Sequence, residues 1–243
     1  MTWVEQISNE IWTCDDFLDN ATVETILDNM RNSTNKNLWR TEYMRTGLAD
    51  INVNNNSYDY VIYQYDIRKD DTIINEIADR LDQVLGLFDQ RAPRSKLNAL
   101  QCFVKSFGPN SHYDVHAESK HKFGDWGWIH FLSDEDSGEL VFPDRQQLDQ
   151  HLKDNPGQVD AYLDNVKLLE SFGETVTYVG PFSIRPKRNT CILFRTGSAH
   201  WVNPMLANHG MTRPTATGWP HATKAMLDDL EKAAKVNENF GNR

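Results

Sequence analysis

After Pro93 the chain breaks into short apolar runs: Leu100 to Phe107, Trp128 to Leu132, Glu139 to Phe142 and Thr190 to Phe194, with Gly, Pro, Asp and Ser between them. Each run has the length of a strand, and the residues between them are turn formers. Thr175 to Val179 and the tyrosine-rich stretch from Tyr58 to Ile67 also read as strands, the latter after a turn at Asn54 to Ser57. Helical spacing is confined to the flanks and one insertion. Val23, Ile26, Leu27 and Met30 recur at helical intervals behind Asn20, a good N-cap residue. Ile74, Ile77, Leu81, Val84, Leu85 and Phe88 do so behind Asp70 or Asp71. The stretch 145 to 170 is polar with Leu148, Leu152, Tyr162, Leu163, Val166 and Leu169 at intervals, a helical insertion. From His221 the tail reads as a charged helix with Met226, Leu227 and Leu230 facing inward. Short strands flanked by helices predict a mainly β chain of the α+β class, a sandwich or barrel packed against helices.

The chain has 243 residues, enough for one large domain or two small ones. Its formal net charge is -10, which argues against a general nucleic-acid binder, since phosphate backbones are held by clustered Lys and Arg. Cys14, Cys102 and Cys191 are far apart and lack metal-type spacing. Cys102 and Cys191 sit in apolar runs and read as reduced core residues. The start, MTWVEQISNEIW, has no basic n-region, and no run approaches the ~18 apolar residues that span a bilayer. The expected setting is cytoplasmic, away from membranes.

Histidines and carboxylates gather in one segment, FGPNSHYDVHAES, which holds His112, Asp114, His116 and Glu118. Residues two apart on a strand point to the same side, so a His-x-Glu or His-x-Asp pair delivers an imidazole and a carboxylate to one point. His200 follows the apolar run CILF, in FRTGSAHWVNP, and can supply a third ligand. Two imidazoles and one carboxylate form the facial triad of non-heme Fe(II) oxygenases, with the opposite face open. Strand parity does not choose between His112/Asp114 and His116/Glu118, because 112, 114, 116 and 118 share one face of a regular strand.

The order of these features resembles the 2-oxoglutarate/Fe(II) oxygenase superfamily, in particular its prolyl 4-hydroxylase-like branch. The likeness rests on Phe107-Gly108-Pro109-Asn110, then His116-Ala117-Glu118, then Phe131-Leu132-Ser133. It continues in Ser137-Gly138-Glu139-Leu140-Val141-Phe142-Pro143, Pro186-Lys187-Arg188-Asn189, Ile192-Leu193-Phe194, His200 and Arg213-Pro214-Thr215 closing on Trp219. It covers about residues 100 to 219 well. It reaches weakly to IWTCDDFLDNATVETILDNM, which resembles the helix before the core in that branch. Each piece alone is weak; their order carries the signal. Glu118 stands where most members have Asp, and Asn110 replaces a usual Gly. The gap from the Gly108-Pro109 turn, and the distance on to Phe131-Leu132-Ser133, match His116/Glu118 rather than His112/Asp114.

The resemblance implies a double-stranded β-helix (jelly-roll, cupin-like) core over residues 95–219, with the insertion at 145–175 on the substrate rim. Residues 1–94 would support it, and 220–243 would form a C-terminal helix, all within one oxygenase domain, 1–243. It implies Fe(II) held by His116, Glu118 and His200, with no catalytic side chain beyond these ligands. It implies 2-oxoglutarate and O2 as co-substrates, and it leaves room for ascorbate. Arg213 would grip the far carboxylate of 2-oxoglutarate, and Thr215 would add a hydroxyl donor. His112 and Asp114 would be partners of the ligating histidines or the alternative ligand pair. Trp126 and Trp128 would line a substrate pocket or sit in the core, and His130 carries no assigned role. The expected reaction is hydroxylation of an unactivated C–H bond, on a prolyl or other amino-acid side chain of a peptide, protein or small molecule. Two rivals stand beside it: a cupin-type metal enzyme that uses no 2-oxoglutarate, and a binding module of the same fold without catalysis. Arg213 discriminates against the first, and the complete ligand set against the second.

Overall fold

The computed structural model describes residues 2–32, 39–42, 60–64, 72–88, 103–107, 112–205 and 213–220. Its strands are β1 (Thr2–Ile7), β2 (Ile11–Asp15), β3 (Trp39–Glu42), β4 (Tyr60–Gln64), β5 (Phe103–Phe107) and β6 (Tyr113–His116). They continue as β7 (Trp126–Phe131), β8 (Leu140–Phe142), β9 (Phe182–Ile184), β10 (Thr190–Arg195), β11 (His200–Val202) and β12 (Arg213–Gly218). The helices are α1 (Asn20–Asn32), α2 (Thr72–Phe88), α3 (Lys120–Phe123), α4 (Arg145–Asp154) and α5 (Val159–Ser171). Eight strands form one sheet in the order β1-β2-β10-β7-β12-β5-β4-β3, and four form a second in the order β6-β11-β8-β9. Each strand pairing is antiparallel.

Alternation along the strands divides the core into layers. On β10, Ile192 and Phe194 face the small sheet and meet Leu140, Phe142 and Val202. Cys191 and Leu193 point the other way, into a cluster with Val23, Ile26 and Leu27 of α1 and Ile77, Leu81, Val84 and Leu85 of α2. On β7 the same rule sends Phe131 between the sheets and Trp126 and Trp128 under the helices. Helices α1 and α2 thus pack on the face of the large sheet turned away from the small one. Each large apolar side chain buried this way contributes about 1.5–3 kcal/mol.

The insertion forms a third layer. Asp144 caps α4 by accepting from Gln147 N at 2.7 Å, and the Gln147 side chain answers by accepting from Asp144 N at 3.3 Å. Leu148 of α4 and Tyr162 of α5 pack on Val115, Val141 and Trp201, which leave the small sheet on its outer side. The insertion therefore covers the outer face of that sheet, the side away from the inter-sheet core.

Two expectations change. The segment Thr175 to Val179 forms only one bridge, Thr177 with Ser198, and no strand. The reason lies just beyond it: at Gly180 the chain crosses the end of β8 so closely that a Cβ would sit 1.9 Å from Phe142 O. The strand that completes the small sheet forms after this crossing, as β9. At the N-terminus, the stretch before α1 is a β-hairpin whose second strand pairs with β10, setting Cys14 opposite Cys191. Both thiols are free and buried. The expected C-terminal helix with Met226, Leu227 and Leu230 lies outside the described residues, as do Cys102 and the turn at 54–57. Among the described residues no helix is long and apolar enough to cross a membrane.

His130, on the helix side of β7, is fully buried. Its Nε2–H donates to Asn189 Oδ1 at 3.0 Å, and Asn189 also accepts from Leu18 N at 3.0 Å and donates to Leu18 O at 2.7 Å. Burial pushes the imidazole pKa down from 6.5 to about 4, only partly opposed by the Asn189 bond. The folded ring stays neutral where the unfolded one takes a proton. Its contribution is thus full above pH 6.5 and is lost as pH falls toward 4. At about 1.4 kcal/mol per pH unit the loss approaches ~3 kcal/mol. Urea unfolding followed from pH 7 to pH 4 should show the parent losing that much more stability than His130→Leu. Parallel acid limbs would show that the ring is not held neutral.

Candidate metal centre

Strands β6 and β11 pair so that His200 lies opposite His116 and Val202 opposite Tyr113. Three steps on β6 match two on β11, which is a β-bulge. The extra residue breaks the regular alternation. Tyr113 and His116 now share a face, with ring centroids 4.6 Å apart, while Val115 joins the outer cluster. The expectation that 112, 114, 116 and 118 all share one side is corrected by this bulge. His112 Nε2 lies 3.1 Å from Asp114 Oδ1. The pair lies near His151 of α4, where the charge of Asp114 works against a pKa that burial lowers. Among the described residues, neither His112 nor Asp114 joins His200 in a group able to hold a metal.

His116, Glu118 and His200 do converge, each offering a ligand atom within 4.8 Å of the others. Glu118 Oε1 is 3.5 Å from His200 Nε2 and 3.9 Å from His116 Nε2, and the imidazole centroids are 4.4 Å apart. Both rings are held from behind. His116 Nδ1 is 2.8 Å from Asp114 O, and His200 Nδ1 is 2.9 Å from Ser198 O. A backbone carbonyl only accepts, so each Nδ1 donates its proton there, and each Nε2 is the atom turned toward Glu118. Phe142 and Phe194 wall the His200 ring at centroid distances of 5.4 and 5.0 Å.

Two imidazole nitrogens and a carboxylate gathered in a largely buried place make a ready site for a shared cation. Glu118 Oε2 is buried and finds no hydrogen-bond partner among the described residues. Such an oxygen is costly to bury alone and is satisfied by a metal. The donor set, two nitrogens and a carboxylate on one side, fits Fe(II) and other divalent ions of that class. His116, Glu118 and His200 are the residues that could hold it.

Thr215 is 2% exposed and pairs in register with Phe131. Cross-strand partners share a face, so Thr215 looks between the sheets, as Phe131 does. Arg213 opens β12 opposite Phe107, two residues before Thr215; its side chain lies outside the described residues. Trp126 and Trp128 are 3% and 0% exposed in the cluster beneath α1 and α2. The substrate-pocket reading of these two is corrected, because β7 turns them to the far side of the large sheet from His200.

Sequence reasoning missed the residues that hold the ligand-bearing backbone. Asn165 of α5 accepts from Ala117 N at 2.9 Å and donates to Ala117 O at 3.1 Å. Gly197 N donates to Glu118 O at 2.8 Å. Glu174 accepts from Lys120 N and His121 N at 2.9 and 2.7 Å. Of these only Gly197, in Thr196-Gly197-Ser198, has a local sequence signal, a turn glycine with φ of +85°.

No protein-family model matches the chain, and no curated protein matches it in sequence. Solved structures do match in shape. A Pseudomonas putida prolyl-4-hydroxylase superimposes with a TM-score of 0.54 at 14% identity, over 86% of this chain and 91% of that one. A Trichoplax adhaerens prolyl hydroxylase, solved with a hypoxia inducible factor oxygen degradation domain peptide fragment, gives 0.56 at 12% identity, over 90% and 87%. A Burkholderia pseudomallei oxidoreductase of the 2OG-Fe(II) oxygenase family gives 0.55 at 11%, covering 89% of each. The chain therefore shares the fold of these two prolyl hydroxylases and this 2OG-Fe(II) oxygenase.

Proposed function

We propose that this protein is an Fe(II)- and 2-oxoglutarate-dependent dioxygenase that hydroxylates an unactivated C–H bond, with one domain built on a double-stranded β-helix. The observation that carries the reading is the meeting of His116 Nε2, His200 Nε2 and the Glu118 carboxylate, with both Nδ1 atoms tied back to carbonyls. Likeness of fold to known oxygenases supports it, but fold alone does not fix function.

Bound Fe(II) and 2-oxoglutarate supply the activation of O2, which places one oxygen atom on the substrate and leaves succinate and CO2. The protein's own part is binding and orientation. His116, Glu118 and His200 would hold the metal through two nitrogens and a carboxylate oxygen. The carbonyls of Asp114 and Ser198 fix each imidazole in the ligating tautomer. Arg213 holds the distal carboxylate of 2-oxoglutarate, and Thr215 donates its hydroxyl beside it. Phe142 and Phe194 keep water from the His200 side. The peptide bound to the Trichoplax adhaerens relative makes prolyl and other peptidyl side chains the first substrates to test, and free amino acids the second. Two buried free thiols suit a reducing, cytoplasmic setting.

The test supplies anaerobically loaded Fe(II) protein with 2-oxoglutarate, air and a peptide and amino-acid panel. Succinate release and a product heavier by one oxygen atom, both dependent on iron, are expected. Iron-dependent turnover that ignores 2-oxoglutarate would establish the cupin-type alternative. No turnover with any substrate, together with retained ligand binding, would establish a binding module.

A further inference from the structure

The strand that carries His116 ends at that residue, and Ala117 and Glu118 continue outside any strand. Their backbone groups still need partners, because Ala117 is 1% exposed. The Asn165 carboxamide supplies both at once, accepting from Ala117 N and donating to Ala117 O. It acts as a neighbouring strand would, at the one residue between the two ligands. The rest of the insertion grips the flanks. Gln158 accepts from Val115 N at 3.4 Å on one side. On the other, Glu174 accepts from Ser119 Oγ at 3.1 Å and from Lys120 N and His121 N. Asn is a poor residue for a helix interior, where its amide competes with the backbone. The apolar anchoring of α5 comes from Tyr162 and Leu169, with Val166 partly buried beside them, so Asn165 is not needed for packing.

We propose that Asn165 is a positioning residue for the metal ligands: it locks the peptide units between His116 and Glu118 so that both side chains meet His200. The insertion is then a scaffold for the metal loop. This rests on the metal reading given above.

The experiment uses Co(II) alone as probe, on the full chain, at a temperature where every variant is folded by circular dichroism. Asn165→Leu keeps the size, favours the helix and cannot hydrogen-bond. It should raise the Co(II) dissociation constant roughly 10–100-fold, the usual effect of losing a group that orients a ligand. It should also speed release to a chelator and alter the visible Co(II) band. Asn165→Gln, which keeps the amide on a longer arm, should recover part of the affinity. Lys167→Ala, exposed on the same helix, should match the parent. If Asn165→Leu has the parent's Co(II) affinity and spectrum, the proposal is overturned, whatever happens to stability. If the parent itself fails to bind Co(II), the metal reading falls and takes this inference with it.

Discussion

Replacing Glu118 or His200 by Ala should abolish Fe(II) binding, while Asp114→Ala should retain most of it. The loss should exceed the ~10–100-fold seen when only an outer orienting group is removed. The contrast follows from the bulge in β6, which separates two candidate pairs that strand parity alone leaves equivalent. Asp114 meets His116 Nδ1 through its backbone carbonyl, which an alanine keeps. Glu118 enters through its carboxylate, and with one buried oxygen unpartnered among the described residues. A second effect of opposite sign should accompany the first. Glu118 carries a carboxylate with one buried oxygen that finds no partner among the described residues, so Glu118→Gln should raise the apo melting temperature while destroying metal affinity. Calorimetric titration with Mn(II), paired with thermal melts in chelator, reads both. Retained binding in Glu118→Ala with loss in Asp114→Ala would make His112 and Asp114 the ligands.

Most of the fold was legible because its signals are local. Val23, Ile26 and Leu27 recur at helical spacing and do form the buried stripe of α1; Cys191 to Phe194 alternate and do divide between two layers. The β1–β2 hairpin was not legible, since its outer strand is mostly exposed and so has no apolar alternation to read. Thr175 to Val179 misled for the converse reason. Its residues favour strands, but the route through Gly180 leaves only one bridge. The site divides in the same way. Residue types and order bring out His116, Glu118 and His200. Spacing from the Gly108-Pro109 turn favours their register over that of His112 and Asp114, whereas strand parity does not, and the bulge that shifts alternation leaves no mark in residue type. Asn165 and Glu174 act on backbone atoms from tens of residues away, through side chains that look like ordinary surface polar groups.

Arg213→Ala should raise the apparent KM for 2-oxoglutarate by roughly 30-fold or more, with Fe(II) affinity little changed. Losing one partner of a buried, hydrogen-bonded charge pair costs about 2–5 kcal/mol. The lower end of that range already corresponds to about 30-fold. Thr215 faces the inter-sheet space in register with Phe131, and Arg213 occupies the position two residues earlier on β12. Arg213→Lys should fall between the parent and Ala, because the charge remains but the planar fork that matches a carboxylate is lost. Thr215→Val should cost less than Arg213→Ala, since it removes a neutral hydroxyl donor and not an ion. Titrating 2-oxoglutarate into the anaerobic Fe(II) protein, and following the visible charge-transfer band, reads each variant without any substrate present. A titration curve in Arg213→Ala that overlays the parent's would remove this residue from the co-substrate site. With iron still bound by His116, Glu118 and His200, that result would return the chain to the cupin-type alternative, in which no cation is required at the start of β12.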